Sequence, residues 1–142
     1  MYWPIFFITG HIFGALLFYC VHRFIFHGKL GKTKLLSPIR KIHTRHHAKP
    51  GSLERALFPK WSWLLIAVSI VTLGFVSIPF AIGFCSFFPV YSYRHRKAHD
   101  GSDAHWARHH MHHHRKNPQV NFGGIYPVLD VIFRTNEEVL DK

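Results

Sequence analysis

The stretch WSWLLIAVSIVTLGFVSIPFAIGFCSFFPVYSY, Trp61 to Tyr93, runs for 33 residues without a Lys, Arg, Asp or Glu. As one helix it would be about 50 Å long, too long for about 30 Å of bilayer hydrocarbon. Pro79, with Gly74 before it and Gly83 after it, offers the place where such a helix breaks. The stretch therefore reads as a hairpin of two short or tilted helices. Histidine clusters flank it on both sides, and they can share a site only if the chain enters and leaves the membrane on one face.

A second uncharged stretch runs from Met1 to His22, and its core from about Tyr2 to Val21 has the length of one membrane crossing. It lacks the basic n-region and small-residue cleavage site of a signal peptide, and cleavage would part His22 from its helix. The expected fold class is all-α: an integral membrane helical protein with about three membrane helices and a histidine-rich cytoplasmic cap. It is read as a single domain over residues 1–142, with membrane segments at about 2–21 and 61–93. The N-terminus is expected on the far side, with Lys29 to Lys60 and Arg94 to Lys142 in the cytoplasm. Lys29, Lys32, Lys34, Arg40, Lys41, Arg45 and Lys49 fit the positive-inside rule. A bacterial inner membrane or the endoplasmic reticulum would suit this plan.

A formal charge of +11 and a pI near 10.1 raise the question of an anionic partner. Nucleic acid is disfavoured, because the basic residues are confined to the flanks of apolar segments and no nucleic-acid-binding module is present. Cys20 and Cys85 lie in apolar surroundings and read as buried thiols rather than a disulfide or metal ligands.

Ten of the fourteen histidines fall into four short clusters beside the apolar segments. These are His22 with His27, His43 with His46 and His47, His95 with His99, and His110 with His113 and His114. Neutral imidazole is the commonest metal ligand, and ten of them imply more than one ion. On a helix His43, His46 and His47 stand at i, i+3 and i+4 and share a face, as do His110, His113 and His114. His95 and His99 share one at i and i+4. His22 and His27 are about 140° apart on an ideal helix, so they meet only if the helix loosens near Phe26, where Gly28 makes an ending plausible. The run His109 to His114 is no expression tag, being internal, interrupted by Met111 and followed by a turn-rich passage. The trio His109, His112 and His113 fits the same spacing as the chosen one.

Taken with Asn121-Phe122-Gly123 and Leu129-Asp130-Val131-Ile132-Phe133-Arg134-Thr135, the motifs His22-Arg23-Phe24-Ile25-Phe26-His27 and His43-Thr44-Arg45-His46-His47-Ala48-Lys49-Pro50-Gly51-Ser52 carry a family likeness. From His22 to Thr135 the chain resembles the fatty acid hydroxylase and sterol desaturase superfamily, most nearly its fatty acid 2-hydroxylases. The resemblance implies an integral membrane protein that uses a histidine-ligated pair of iron ions and dioxygen to hydroxylate or desaturate a lipid. The superfamily's last box, His-His-any-any-His-His, falls on His109 to His114 and selects His110, His113 and His114. His109 and His112 then become neighbours, while His11 and His105 match no box. All four are expected to be solvated or internally hydrogen-bonded.

Two departures qualify the likeness: a single apolar segment precedes the first box, where relatives usually have two, and no attached cytochrome b5 domain is expected. Electrons are therefore expected from a separate donor such as cytochrome b5 or a ferredoxin. The basic residues Lys41, Arg45, Lys49, Arg96, Lys97, Arg108, Arg115 and Lys116 would dock that acidic carrier or meet anionic lipid headgroups.

An unactivated C–H bond offers nothing to a nucleophile or a general base, whereas a reduced metal pair that activates dioxygen can attack it. Soluble di-iron bundles use glutamates, but no acidic residue lies inside a histidine box here. Asp100 and Asp130 are expected to orient an imidazole N–H, with an exposed turn and a helix cap as their alternatives. Zinc is an expected substitute in purified protein, since nitrogen-rich sites hold it more tightly than ferrous iron. Carotenoid hydroxylase and sterol desaturase or oxidase activities remain alternatives. A membrane metal-binding or transport protein is a non-enzyme alternative, disfavoured because the ionisable groups gather at one face and only His11 sits deep in an apolar run.

Overall fold

A computed structural model describes residues 2–50 and 62–139. Gly51 and Ser52 of the second motif, Trp61 at the head of the long apolar stretch, and both chain ends lie outside the described residues. Every regular element among the described residues is helical. Helix α1, Trp3–Cys20, continues without interruption into a π-helical turn, Val21–Phe26. After a 3₁₀ turn at Leu30–Lys32 come α2 (Ser37–Ala48), α3 (Ser62–Val76), α4 (Ile78–His99), α5 (His105–Arg115) and α6 (Pro127–Ile132).

The continuous helix Trp3–Phe26 has 24 residues and is long and apolar enough to cross a membrane. Most of its surface is uncovered: Ile5, Phe6, Ile8, Ile12, Phe13 and Leu17 all face outward. Helix α3 does the same with Leu64, Leu65, Val68, Val71 and Phe75. Contiguous apolar surface on this scale is foreign to a monomer in water and suits hydrocarbon surroundings. The long apolar stretch breaks at Ser77, which is extended (φ −160°, ψ 110°) and caps α4 by accepting from the Phe80 amide at 3.5 Å. Pro79 falls in the first turn of α4, where its missing N–H costs nothing.

Cys20 and Cys85 correct the sequence reading: both are exposed rather than buried. A helix that is apolar all round carries no stripe by which its outer face can be told from its inner one.

Helices α1 and α4 pack along each other, and glycines set how closely. A Cβ at Gly10 would collide with the Phe80 carbonyl oxygen, and one at Gly83 with that of Phe7. At Gly14 it would lie 2.8 Å from Phe87 Cβ. Small residues at such spacings let two helix backbones touch where lipid gives no hydrophobic drive to association. Above this contact Tyr19, Phe84, Phe87 and Tyr91 form the core, and Phe122, Ile125 and Leu129 fold back onto it. The last turns of α4 and all of α5 are thereby held over the end of α1.

Valine at Gly83 should separate α1 from α4 at a cost of about 1–3 kcal/mol, the usual range for overpacking. The expected outcome is a lower unfolding temperature in detergent, with a smaller loss for alanine. An unchanged transition for Gly83→Val would refute the close approach.

Candidate metal centre

The π-turn solves the angular problem of the first box. His27 donates its amide to the His22 carbonyl at 3.1 Å, an i to i+5 bond that widens the turn. Residues five apart are thus brought toward one face, and the two imidazole centroids lie 5.0 Å apart. The loosening spans Val21 to Phe26 rather than beginning near Phe26. Gly28 follows where a Cβ would strike the backbone of Phe24, so only glycine fits the exit.

The ten clustered histidines gather into two groups of five, each of which could hold a metal ion: His22, His27, His43, His47 and His113 in one, His46, His95, His99, His110 and His114 in the other. Within each group one nitrogen per ring lies inside a 4.8 Å limit of the rest. The sequence neighbours His46 and His47 serve different groups, as do His113 and His114, because adjacent helical residues diverge by about 100°. The groups abut: the rings of His47 and His114 stack at 4.2 Å.

Tautomers follow from the hydrogen bonds. His22 Nδ1 donates to the Phe122 carbonyl and His113 Nδ1 to that of Val120, each at 2.6 Å. With the proton on Nδ1, each Nε2 carries only a lone pair. His22 Nε2 lies 3.2 Å from His43 Nε2, and His113 Nε2 lies 3.1 Å and 3.2 Å from those of His27 and His47. His43 Nε2 also has His27 and His47 Nε2 at 2.8 Å and 2.9 Å, more neighbours than one ring proton can satisfy. In the second group His99 Nε2 stands 3.2 Å from both His95 and His110 Nε2. Among the described residues, buried ring nitrogens of His46, His110 and His114 have no hydrogen-bond partner. Lone pairs converging on a point repel one another unless a cation sits among them, so the residues fit a metal pair.

Electrostatics keeps these rings ready as ligands. Burial lowers His27 and His46 from 6.5 to about 3, and His47, His99 and His113 to about 4. Burial, reinforced by neighbouring imidazoles, also holds His43, His110 and His114 well below the usual range. All are neutral at pH 7 and free to donate a lone pair.

Helix α5 presents His110, His113 and His114 to the clusters and turns the alternative face away. His109 is buried with its Nε2 2.9 Å from Asp130 Oδ2, and His112 Nε2 lies 3.2 Å from Glu137 Oε1. His11 lies between Ser86 Oγ at 2.8 Å and the Tyr126 hydroxyl at 2.7 Å, while His105 is exposed. The carboxylate of Asp130 faces the imidazole of His109, which is not one of the clustered histidines. Asp100 is exposed in the turn closing α4, and only its charge reaches His99. The carbonyls of Val120 and Phe122 went unseen in the sequence, since a backbone acceptor has no residue type. The adjoining Asn121-Phe122-Gly123 was their only trace.

The fatty acid hydroxylase family model matches residues 7–135. No curated protein and no solved structure matches the chain.

The depressed values set a pH window for the metal-free protein. An unfolded histidine takes up its proton near 6.5, whereas these folded ones do so only near 3 to 4. Lowering the pH through 6.5 therefore favours the unfolded chain, and stability is lost progressively down to about 3. Metal-free protein in detergent should unfold several degrees lower at pH 5 than at pH 7.5, with a plateau above pH 7. Equal unfolding temperatures at the two values would contradict the buried neutral clusters.

Proposed function

Because the chain belongs to the fatty acid hydroxylase family, we propose that it is a membrane-bound, non-haem di-iron oxygenase hydroxylating a lipid acyl chain with dioxygen and two external electrons. The observation that carries this reading is the pair of abutting five-histidine groups at the end of the apolar helix α1. His22, His27, His43, His47 and His113 would hold one ion and His46, His95, His99, His110 and His114 the other. When bound, two irons would supply the activation of dioxygen needed to attack an unactivated C–H bond.

The chain's own part is to position and to exclude water. Phe26 stacks on His43 at 4.5 Å and Tyr91 on His95 at 5.0 Å. Phe18 and Phe122 lie 5.4 Å and 5.9 Å from the His22 ring. A methylene brought against this wall leaves water behind, which suits an apolar substrate arriving from the bilayer. In the proposed topology the hairpin of α3 and α4 returns the chain to the cytoplasmic face, where α2 and α5 cap the centre.

Protein expressed in iron-replete medium should carry two ions per chain, zinc counting as a substitute for iron. Alanine at His22, His43, His47, His99, His110 or His114 should reduce the hydroxylated lipid to background, whereas His105→Ala should leave most of it. One ion or none in the intact protein, or equal loss at His105, would reject the assignment.

Arg96 and Lys97 are exposed beside the second group, and the proposed donor is an acidic carrier such as cytochrome b5 or a ferredoxin. Replacing both by glutamate should slow reduction by that carrier, mainly through the encounter rate. The difference should shrink at 1 M salt, where the screening length falls to about 3 Å. Identical rates at low salt would remove the docking role.

A further inference from the structure

We propose that the cleft between the Leu30–Lys32 turn and α2 is a binding site for the phosphate of an anionic membrane lipid, held by Arg40, Lys32 and Lys41. The site lies outside the histidine groups, and the inference stands whether or not those groups bind metal.

Helix α2 carries two faces. One brings His43, His46 and His47 to the histidine groups. Another is formed by Ser37, Arg40, Lys41 and Thr44, which stand at i, i+3, i+4 and i+7. Together with Gly31 and Lys32 they line an open cleft of about 440 Å³. Three of the six lining residues are cations and none is acidic, so the cleft selects an anion. Its volume is ample for a phosphate and the glycerol esterified to it.

Packing holds the cleft open. Gly31 is buried where a Cβ would collide with the Ile25 carbonyl oxygen and come within 2.9 Å of Arg40 Cδ, so the turn seats against the π-turn and α2 only with glycine there. Arg40 is half-buried, and its Nε donates to the Phe26 carbonyl at 3.1 Å. That bond fixes the guanidinium plane and leaves the two terminal amino groups as a fork, the geometry that meets two oxygens of a phosphate. Lys32 and Lys41 are exposed and add charge, one from the turn and one from the helix. The Ser37 and Thr44 hydroxyls donate to the carbonyls of Lys34 and Arg40 at 3.4 Å and 3.1 Å, so recognition falls to the cations.

The surroundings favour a lipid over a soluble anion or an acidic protein. Arg40 grips Phe26, the last residue of the apolar helix Trp3–Phe26, so the cleft sits where that helix ends. Leu30 and Leu35 flank the lining residues in sequence and are exposed, as is Phe24. Leucines that can enter the acyl boundary beside cations that stay among headgroups suit a bilayer surface. A phosphomonoester, which carries more negative charge than a diester, should bind more tightly, and a zwitterionic lipid least.

Native mass spectrometry of the intact protein in a neutral detergent tests the site. Titrated with phosphatidate, the chain should retain one lipid; phosphatidylglycerol should bind more weakly, and phosphatidylcholine should not compete. Lys32→Gln/Lys41→Gln should weaken phosphatidate binding about 25-fold, at about fivefold for each charge removed. Arg40→Lys, which keeps the charge but not the planar fork, should weaken it as well. Lys29→Gln/Lys34→Gln removes two exposed charges of the same segment that do not line the cleft, and should leave the affinity unchanged. Equal losses in the two lysine pairs would mean attraction by net charge alone and would overturn the site; both pairs are exposed, so this comparison holds even where Arg40→Lys fails to fold. Inorganic phosphate displacing phosphatidate at equal concentration would make this a site for free phosphate. Displacement by cytochrome b5 or a ferredoxin, lost in Lys32→Gln/Lys41→Gln, would make it a carrier site. Either result overturns the assignment to a lipid.

Discussion

The mutual repulsion of buried imidazole lone pairs is the constraint on which the rest of the molecule depends. Ten rings stand where each group's nitrogens come within 4.8 Å of one another, and His22 and His113, whose Nδ1 protons go to main-chain carbonyls, bring only lone pairs on Nε2. Such an arrangement is unfavourable by itself, and the scaffold must hold it against rotation of every side chain. Glycine-mediated contact between α1 and α4 supplies the rigid base. The π-turn at Val21–Phe26 aims His22 and His27, and the adjacent pairs on α2 and α5 distribute their rings between the groups. Each device is local, but none has a purpose apart from the convergence.

Much of this was legible because helical spacing is a geometric fact of the sequence. The i, i+3, i+4 pattern put His43, His46 and His47 on one side of α2, and the uncharged 33-residue stretch required a break. It fell at Ser77, two residues before Pro79, because proline belongs in the first turn of a helix rather than at its end. Five-residue spacing between His22 and His27 demanded a departure from the α-helix, though the sequence carried no sign of how many residues it would involve. Which ring joins which group was illegible, since facing within a helix does not reveal what lies opposite. The thiols of Cys20 and Cys85 failed for a related reason: in hydrocarbon surroundings apolar residues face outward as readily as inward. Hydrogen bonds to the main-chain carbonyls of Val120 and Phe122 were invisible, because any residue could have supplied those acceptors.

Asp130 touches a histidine that belongs to neither of the two groups. A buried carboxylate near a histidine box was expected to orient a ligand, and it does face an imidazole. Yet Gly123, Thr135 and His109 occupy its oxygens, so its influence on the clusters passes through the backbone of segment 120–123. The carboxylate fastens the loop, the loop presents two carbonyls, and the carbonyls set two rings.

The choice of nitrogen over oxygen ligands has its own physical logic. A carboxylate-rich site of this burial would have to hide several negative charges before any ion arrived, at a large cost unless they were paired or hydrogen-bonded. Its groups would instead take up protons and lose their ligand character. Imidazoles held down to about 3 to 4 remain neutral across the physiological range, so the empty centre buries dipoles rather than charges. Helix packing around neutral rings then needs no ion to balance buried charge. What is surrendered is charge balance: two divalent ions among neutral rings would leave the centre strongly cationic. Under the proposed function such a centre would favour ligands that become anionic as they accept electrons, the direction that dioxygen reduction would require.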